Sequence, residues 1–577
     1  MSIKRKHLLS LFFLPSLLGV VSFFVIPFFL ALYNAFKDNF DAPSYGLSNY
    51  INTIRNPLFH LGTKNFLIFA SISIISTSAI SLVLALLLNK KKYCRNIFLI
   101  SSLLPFFMPS GCTSFFWNCI FELNGLVNRF LYQNNFEIII WGSSGWSILI
   151  PIFIYIWKFT GFFTLLFSLG LNSIPKEYYE IAQLEGATKR IILKKITLVF
   201  LAPFILMAFF LSFVFTFRIS KELFILFGKY PNENLYFVQH FISNQLNSMN
   251  LPTLSASSCM IVFVFLLILI PIWRLWTNSL DVFSNIGEFN SDSKREPCQK
   301  RIFLYVCVLS FFFLLPIVFT FSNSFMEPAE FVSRYSSKVI DNNLADLSRE
   351  GLHFVNPTLL PTKITGSQYI DFFLDIRYLR MFWNSVLCAF PVLILHILVS
   401  IFASYALYRA KRNIKTVLFI YTFFMIIPSQ VMITPQYIFF QSFHVSTSYW
   451  EIALPAIFNT MGTCIIYFYL QGFPKECIEA AQVDGAEEFS IFLRIVLPNM
   501  RGIIAILTIY TFSESWNLID QAVVFIKNNY QLPLSMYLSD ILQENMGVIS
   551  SGSIVYMIPP TLLFIICLLW FKINTEK

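Results

Sequence analysis

The feature that most limits what this chain can fold into is a succession of about twelve long apolar runs. They lie near residues 8–36, 65–89, 96–121, 145–170, 196–217, 256–280, 302–321, 379–408, 415–440, 450–471, 495–515 and 552–572. A helix needs roughly 20 apolar residues to cross a bilayer, and many of the runs approach or exceed that length. Their Leu, Ile and Phe are continuous rather than alternating with polar residues, so they read as helices and not as barrel strands. Composition agrees. The chain is 12% charged and 56% hydrophobic, against roughly 25% and 45–50% for soluble domains. An all-α integral membrane protein is expected.

The net charge of +10 would raise the question of nucleic acid in a soluble domain, but the placement of the basic residues answers it. They cluster beside apolar runs, at Lys4–Lys6, Lys90–Arg95, Lys194–Lys195 and Arg409–Lys415. With the N-terminus inside, the short cytoplasmic segments hold 26 of the 41 Lys and Arg, which is the positive-inside bias. Both termini are therefore expected in the cytoplasm, and no nucleic-acid partner is expected. The first apolar run is longer than the 7–15 residues of a signal core and lacks a small-residue cleavage site, so it reads as a retained first helix. The ten cysteines show no CxxC or zinc spacing and read as inert thiols; Cys112 and Cys119 are the one pair that could meet near the outer face. No catalytic constellation and no metal site is expected; the six histidines are scattered.

A repeat divides the chain. Shifted by 299 residues without a gap, Pro175–Leu198 superimposes on Pro474–Leu497 with 11 of 24 positions identical, where chance gives about one or two. Similarity at one fixed offset means duplicated architecture. The polar stretch Arg274–Arg301 is the natural divider. The expected organisation is a first half over 1–280, a cytoplasmic linker over 281–301 and a second half over 302–577, each half with six spans in the same orientation. The shared loops then fall at 174–199 and 473–498, both on the cytoplasmic side. Outside, the second half carries a polar segment from about Ser322 to Arg377 that the first half lacks.

The heart of each loop is an octet, EIAQLEGA at Glu180–Ala187 and EAAQVDGA at Glu479–Ala486. In the second copy Pro474 suits a first helical position, where its missing N–H costs nothing. Glu476 and Glu479 complement the start of the helix dipole, Ala480 and Ala481 keep one surface small, and Gly485 tolerates the positive φ of a helix end. A second helix is expected from near Glu487, breaking at Pro498. An ordinary inter-span loop is the competing reading. Loops are where sequences diverge most, and this one is repeated.

The string E-A-A-x-x-x-G-x9-I-x-L-P resembles the EAA signature of permease subunits in bacterial ABC importers. Here it reads Glu479, Ala480, Ala481, Gly485, Ile495, Leu497 and Pro498. The first copy has Glu180, Ala182, Gly186, Ile196 and Leu198, with Ile181 in place of an Ala and Val199 in place of the Pro; Pro203 is the nearest later break. The resemblance covers nearly the whole chain and favours the carbohydrate-uptake branch. GLSNY (Gly46–Tyr50) and IWKFTGFF (Ile156–Phe163) look like the larger permease of maltose-type systems. RMFWNSV (Arg380–Val386) and IIPSQVMITPQY (Ile426–Tyr437) look like the smaller one. The chain thus resembles both subunits fused, with the fold of a type I ABC importer permease.

The resemblance implies a bacterial plasma-membrane permease that imports a sugar or oligosaccharide by alternating access. It implies that Glu180, Ala182, Gly186, Glu479, Ala480, Ala481 and Gly485 couple to two separate ATPase subunits, and that an external solute-binding protein delivers the cargo. The chain has no G-x-x-x-x-G-K-[ST] loop, so ATP and Mg2+ are expected on the partners and no cofactor on this chain. It places Tyr155, Trp157, Lys158, Phe159, Phe162, Ser212 and Thr216 near the substrate path. Aromatic faces and a few hydroxyls suit a sugar, although in a chain with 68 Phe plain packing is the rival reading for the aromatics. A charge such as Lys158 within a span faces a cavity or a partner. An ion-coupled transporter of six plus six spans is the main alternative, but acidic residues within the runs are almost lacking. A sugar phosphate or a polyol is the alternative cargo.

Overall fold

The computed structural model describes residues 3–37, 44–89, 92–142, 144–248, 251–283, 300–335, 354–410, 414–427, 429–443, 449–473, 475–526, 528–538 and 546–573. The expected linker falls almost wholly outside these residues, as does Pro474. Among the described residues the chain is helical, with two isolated β-bridges, Lys37 to Tyr45 and Met326 to Ile364.

In chain order the first half holds α1 (His7–Ala35), α2 (Pro57–Leu88), α3 (Cys94–Phe107), α4 (Ser110–Gln133), α5 (Leu149–Asn172), a short α6 (Lys176–Leu184), α7 (Lys189–Phe227) and α8 (Leu251–Phe283). The second holds α9 (Phe303–Ser324), α10 (Ile376–Arg409), α11 (Lys415–Met425), α12 (Ser429–Ser442), α13 (Tyr449–Gln471), a short α14 (Lys475–Val483), α15 (Glu488–Asn499), α16 (Arg501–Trp516) and α17 (Gly547–Cys567). Eight of these are long and apolar enough to cross a membrane outright. Two bent pairs, α3 with α4 at 100° and α15 with α16 at 73°, pass the same test together, and the remaining two apolar runs give the shorter apolar segments Leu251–Leu267 and Lys415–Met425. Among the described residues, ten of the twelve runs thus count as candidate spans if each bent pair is one span, and the other two, within α8 and α11, show shorter apolar segments. Pro109 opens α4 at the first bend, and Pro498 lies two residues before the second, because a proline cannot donate to the preceding turn.

Packing follows small residues and aromatic rings, the means by which helices associate in lipid. A Cβ added at Gly161 of α5 would lie 2.1 Å from the carbonyl oxygen of Ser102 on α3, so only glycine lets these backbones approach so closely. Outward faces stay apolar. Ile75 is 68% and Ile566 65% exposed, as lipid contact requires. The first span of each half packs on the other half. Ser16 of α1 hydrogen-bonds Tyr421 of α11 at 3.0 Å, and Phe12 meets Phe402 of α10 at 4.8 Å. In return Phe313 of α9 meets Phe98 of α3, and Phe319 meets Phe115 of α4. Cys112 and Cys119 are free thiols buried in this packing, and Cys112 lies 2.9 Å from Ser553 rather than bonded to Cys119.

Candidate functional site

The repeat in the sequence is a repeat in backbone geometry. Helix α6 spans 176–184 and α14 spans 475–483, the same nine residues shifted by 299. Each is followed by a four-residue helical start (Lys189–Ile192 and Glu488–Ile491) and then a π-helical turn (Leu193–Thr197 and Phe492–Val496). Both short helices end in the same cap. The N–H of Ala187 donates to the carbonyl of Ala182 at 2.9 Å and that of Gly186 to Gln183 at 3.1 Å. Likewise Ala486 donates to Ala481 at 3.0 Å and Gly485 to Gln482 at 3.2 Å. This six-to-one and five-to-two pair needs a left-handed residue just past the helix. Gly186 and Gly485 supply it, at φ +76° and +80°.

Glu180, Glu479 and Ala480 are exposed on these helices, whereas Ala182 and Ala481 are buried. Small size at 182 and 481 therefore seats each helix against its own chain, and among the alanines only Ala480 adds to the outer surface. Leu184 is 89% and Val483 87% exposed, at corresponding positions of the two loops. After the loops the halves part. The second breaks after Pro498 as expected, but the first runs unbroken through Pro203 as α7.

A cavity of about 110 Å³ lies between the halves. Its wall takes Phe24 from α1 and Val214 and Arg218 from α7. The rest comes from the second half: Val392 and His396 of α10, Phe424 and Met425 of α11, Met432 and Gln436 of α12, Glu451, Ala456, Asn459 and Met461 of α13, and Tyr510, Thr511, Glu514 and Ser515 of α16. Arg218 bridges the halves. Its Nε lies 3.1 Å from a carboxylate oxygen of Glu514 and its Nη2 donates to Ser513 at 3.3 Å. The guanidinium also sits 5.1 Å from the ring centre of Phe106 and 5.4 Å from that of Phe215, a cation–π arrangement. His396 Nδ1 donates to the carbonyl of Ile457 at 2.9 Å.

None of the seven residues placed near the path from sequence lines this cavity. All are buried in the layer between α5 and α7. Tyr155 donates to the Ser212 carbonyl at 2.7 Å and lies 2.6 Å from its hydroxyl. Lys158 is ion-paired with Glu222, which also accepts from Ser110 at 3.1 Å. Phe159 stacks on Phe215 and Phe162 on Phe106. Trp157 meets Trp117 edge-on, and Thr216 donates to the Phe213 carbonyl of its own helix.

The repeat explains the displacement. Moved on by 299, Trp157 becomes Ala456, Phe162 becomes Met461, Ser212 becomes Thr511 and Thr216 becomes Ser515, and all four of these line the cavity. In the first half an indole and a phenyl ring fill the space that alanine and a flexible methionine leave open in the second. The cavity wall also holds Glu451 and Glu514, each a lone carboxylate in an apolar run.

A family described as the binding-protein-dependent transport system inner membrane component matches this chain twice, over residues 77–273 and 377–574. The arabinooligosaccharides transport system permease protein AraQ of Halalkalibacterium halodurans is 28% identical over 227 residues, 38% of this chain and 80% of that protein. The trehalose/maltose transport system permease protein MalF of Thermococcus litoralis is also 28% identical over 227 residues, covering 38% of this chain and 77% of MalF. Among solved structures, a bacterial alginate ABC transporter in complex with an alginate pentasaccharide-bound periplasmic protein aligns with 47% of this chain and 95% of its own, at 23% identity and a TM-score of 0.41. With the family domain present twice over more than half its length, the chain belongs to the binding-protein-dependent transport system inner membrane components, as a fused two-half permease that is a membrane translocation component rather than an enzyme.

Proposed function

We propose that this permease moves a sugar or short oligosaccharide into the cell by alternating access. Two separate ATPase subunits, which bind the ATP and Mg2+, drive it from the cytoplasmic face, and an external solute-binding protein feeds it. Both termini then lie in the cytoplasm. The observation that carries this reading is the pair of identically capped loops. Each presents a glutamate, Glu180 or Glu479, and an apolar tip, Leu184 or Val483, on a short helix seated against membrane spans. An exposed apolar tip beside a fixed charge suits a partner groove, since charge sets register while apolar contact supplies affinity. Gly186 and Gly485 hold the shape, and Ala182, Ala480 and Ala481 keep the helices slim.

The cargo reading rests on the cavity between the halves and on the sugar names of the relatives. The cavity combines rings (Phe24, Phe424, Tyr510) with convergent amide, hydroxyl and imidazole groups, the chemistry of a sugar pocket. In this reading the path runs along the second half's wall, and Tyr155, Trp157, Phe159 and Phe162 support it from behind.

Two experiments test the reading. Glu479→Lys should abolish solute uptake while the protein stays in the membrane at wild-type level; wild-type uptake would overturn the coupling role. Mild extraction of the tagged chain should bring down an ATPase subunit, and its consistent absence would favour an ion-coupled transporter.

A further inference from the structure

We propose that two short helices at the face opposite the repeated loops, Ser48–Arg55 and Ser367–Leu374, are matched lipid anchors. Each lays an apolar stripe into the boundary between acyl chains and headgroups. Three apolar runs separate each helix from the loop of its own half, which places both on the same face. The two correspond at a shift of 319: SNYI at Ser48–Ile51 matches SQYI at Ser367–Ile370. The match continues in the geometry. Asn56 and Asp375, one residue past the two helices, cap α2 and α10, their side chains accepting from the main-chain N–H of Leu58 and Arg377. Nine residues further on, Asn65 donates to the Tyr236 carbonyl at 3.0 Å and Asn384 to the Tyr530 carbonyl at 2.9 Å. Each short helix is thus joined through a single capping residue to a membrane span that is itself pinned.

Successive residues of a helix turn by about 100°, so three faces can be followed around the first of them. Asn49 and Thr53 are buried, and the Asn49 amide donates to the Ala35 carbonyl at 3.2 Å. Ser48, Asn52 and Arg55 make a polar face. Leu47, Ile51 and Ile54 make an apolar stripe that nothing in the chain covers, with Ile51 44% and Ile54 49% exposed. The second helix repeats the division. Gln368 and Phe372 are buried, Ser367 and Asp371 are polar, and Ile370 and Phe373 are 57% and 49% exposed. A helix lying on a protein in water has two environments and needs two faces. Three faces, one packed, one polar and one apolar and open, suit a helix where protein, water and lipid meet.

Lipid is the occupant because each stripe adjoins, along the chain, the lipid-facing side of the span that follows. Leu58, Ile68, Ile72 and Ile75 are exposed along α2, and Trp383, Leu387 and Ile394 along α10. Trp383, two turns into its span, is the kind of side chain that gathers at the membrane boundary. A protein partner arriving from water would meet the polar faces instead, at Asn52, Arg55 and Asp371, and would leave the apolar stripes uncovered.

The test places the photoreactive residue p-benzoylphenylalanine, by amber suppression, at one position at a time in the full chain reconstituted in phosphatidylcholine vesicles. After ultraviolet irradiation, mass spectrometry measures the fraction of chain carrying a lipid adduct. Ile51, Ile54, Ile370 and Phe373 should each give severalfold more adduct than Asn52 and Asp371 on the polar faces. Leu47 and Leu374, both exposed beside the same stripes, stand in for any position at which the protein fails to reach the membrane. Adduct at the stripes no more frequent than at Asn52 and Asp371 overturns the inference. Crosslinking of the stripes to a second copy of the chain in place of lipid does the same, and adduct from only one of the two helices overturns the matched pair. None of these outcomes touches the transport reading, which is tested by uptake and by the ATPase.

Discussion

The Nε of Arg409 lies 2.7 Å from a carboxylate oxygen of Glu488, and the hydroxyl of Tyr405 donates to the same oxygen at 2.7 Å. The contact ties the end of α10 to the start of α15, five residues past the end of the second short loop helix. It is largely shielded, with the two side chains 13% and 7% exposed, so salt screens it little. The first half has Lys189 at the corresponding position and fastens its loop differently, through Tyr179 and Thr197 at 3.3 Å. On the proposed coupling role, Arg409→Gln should lower solute moved per ATP hydrolysed several-fold, while Lys189→Gln should leave that ratio unchanged. Both are measured on the complex with its ATPase in proteoliposomes. Equal ratios in wild type and Arg409→Gln would remove the clamp from the coupling route.

Gly485 separates backbone strain from crowding, because a Cβ added there meets nothing within 4 Å. Among the described residues its φ of +80° is the only obstacle to a side chain. A left-handed non-glycine residue costs roughly 1–2 kcal/mol, and asparagine less than alanine or valine. Amide exchange over Ala480–Ala486 should therefore quicken in the order glycine, asparagine, alanine, valine. If Gly485→Ala exchanges like wild type, the cap does not hold the loop.

How much of this could be read beforehand differs by level. Apolar run length gave every span, because the demand of lipid on a helix is local and one-dimensional. The cap at Gly186 and Gly485 was legible for the same reason: it is a matter of backbone angles over six residues. Neither the exchange of α1 and α9 between the halves nor the side of the cavity could be read from any one segment. Ser16 and Tyr421 are 405 residues apart, and nothing local to either names the other. The cavity turns on volume, Ala456 against Trp157, which becomes visible only when the two copies are laid side by side in the packed structure.

Glu330 gives a pH-dependent fastening outside the membrane-length helices. Desolvation raises its pKa, but hydrogen bonds from Thr362, from the main-chain N–H groups of Thr362 and Lys363 and from Arg334 outweigh that and hold it at about 2. A carboxylate depressed in this way stabilises the folded form above its ordinary value of 4.5, and the benefit is lost progressively as the pH falls from about 4.5 toward 2. Protection of the Thr362 and Lys363 amides, corrected for intrinsic exchange, should hold from pH 7 to 5 and decline below 4.5. Glu330→Gln should have weaker protection with no such decline, and a wild-type profile flat to pH 3 would show that the carboxylate does not fasten this segment.

Lys158 and Glu222 allow the two readings of a charge within a span to be told apart. Both are buried, at 5% and 1% exposure, and they are paired with each other across α5 and α7. Removing one partner of such a pair strands the other and typically costs about 3–5 kcal/mol, whereas replacing both with uncharged groups of similar volume is often close to neutral. Lys158→Met should thus lower the yield and melting temperature of the purified protein sharply, and Glu222→Gln should do likewise. The double substitution Lys158→Met with Glu222→Gln should recover most of the loss in stability. Uptake then decides the role. If the pair only holds α5 against α7, the double variant transports solute nearly as well as wild type. If Lys158 touches the cargo, stability returns without transport, and the path must extend from the second half's wall into the aromatic layer of the first.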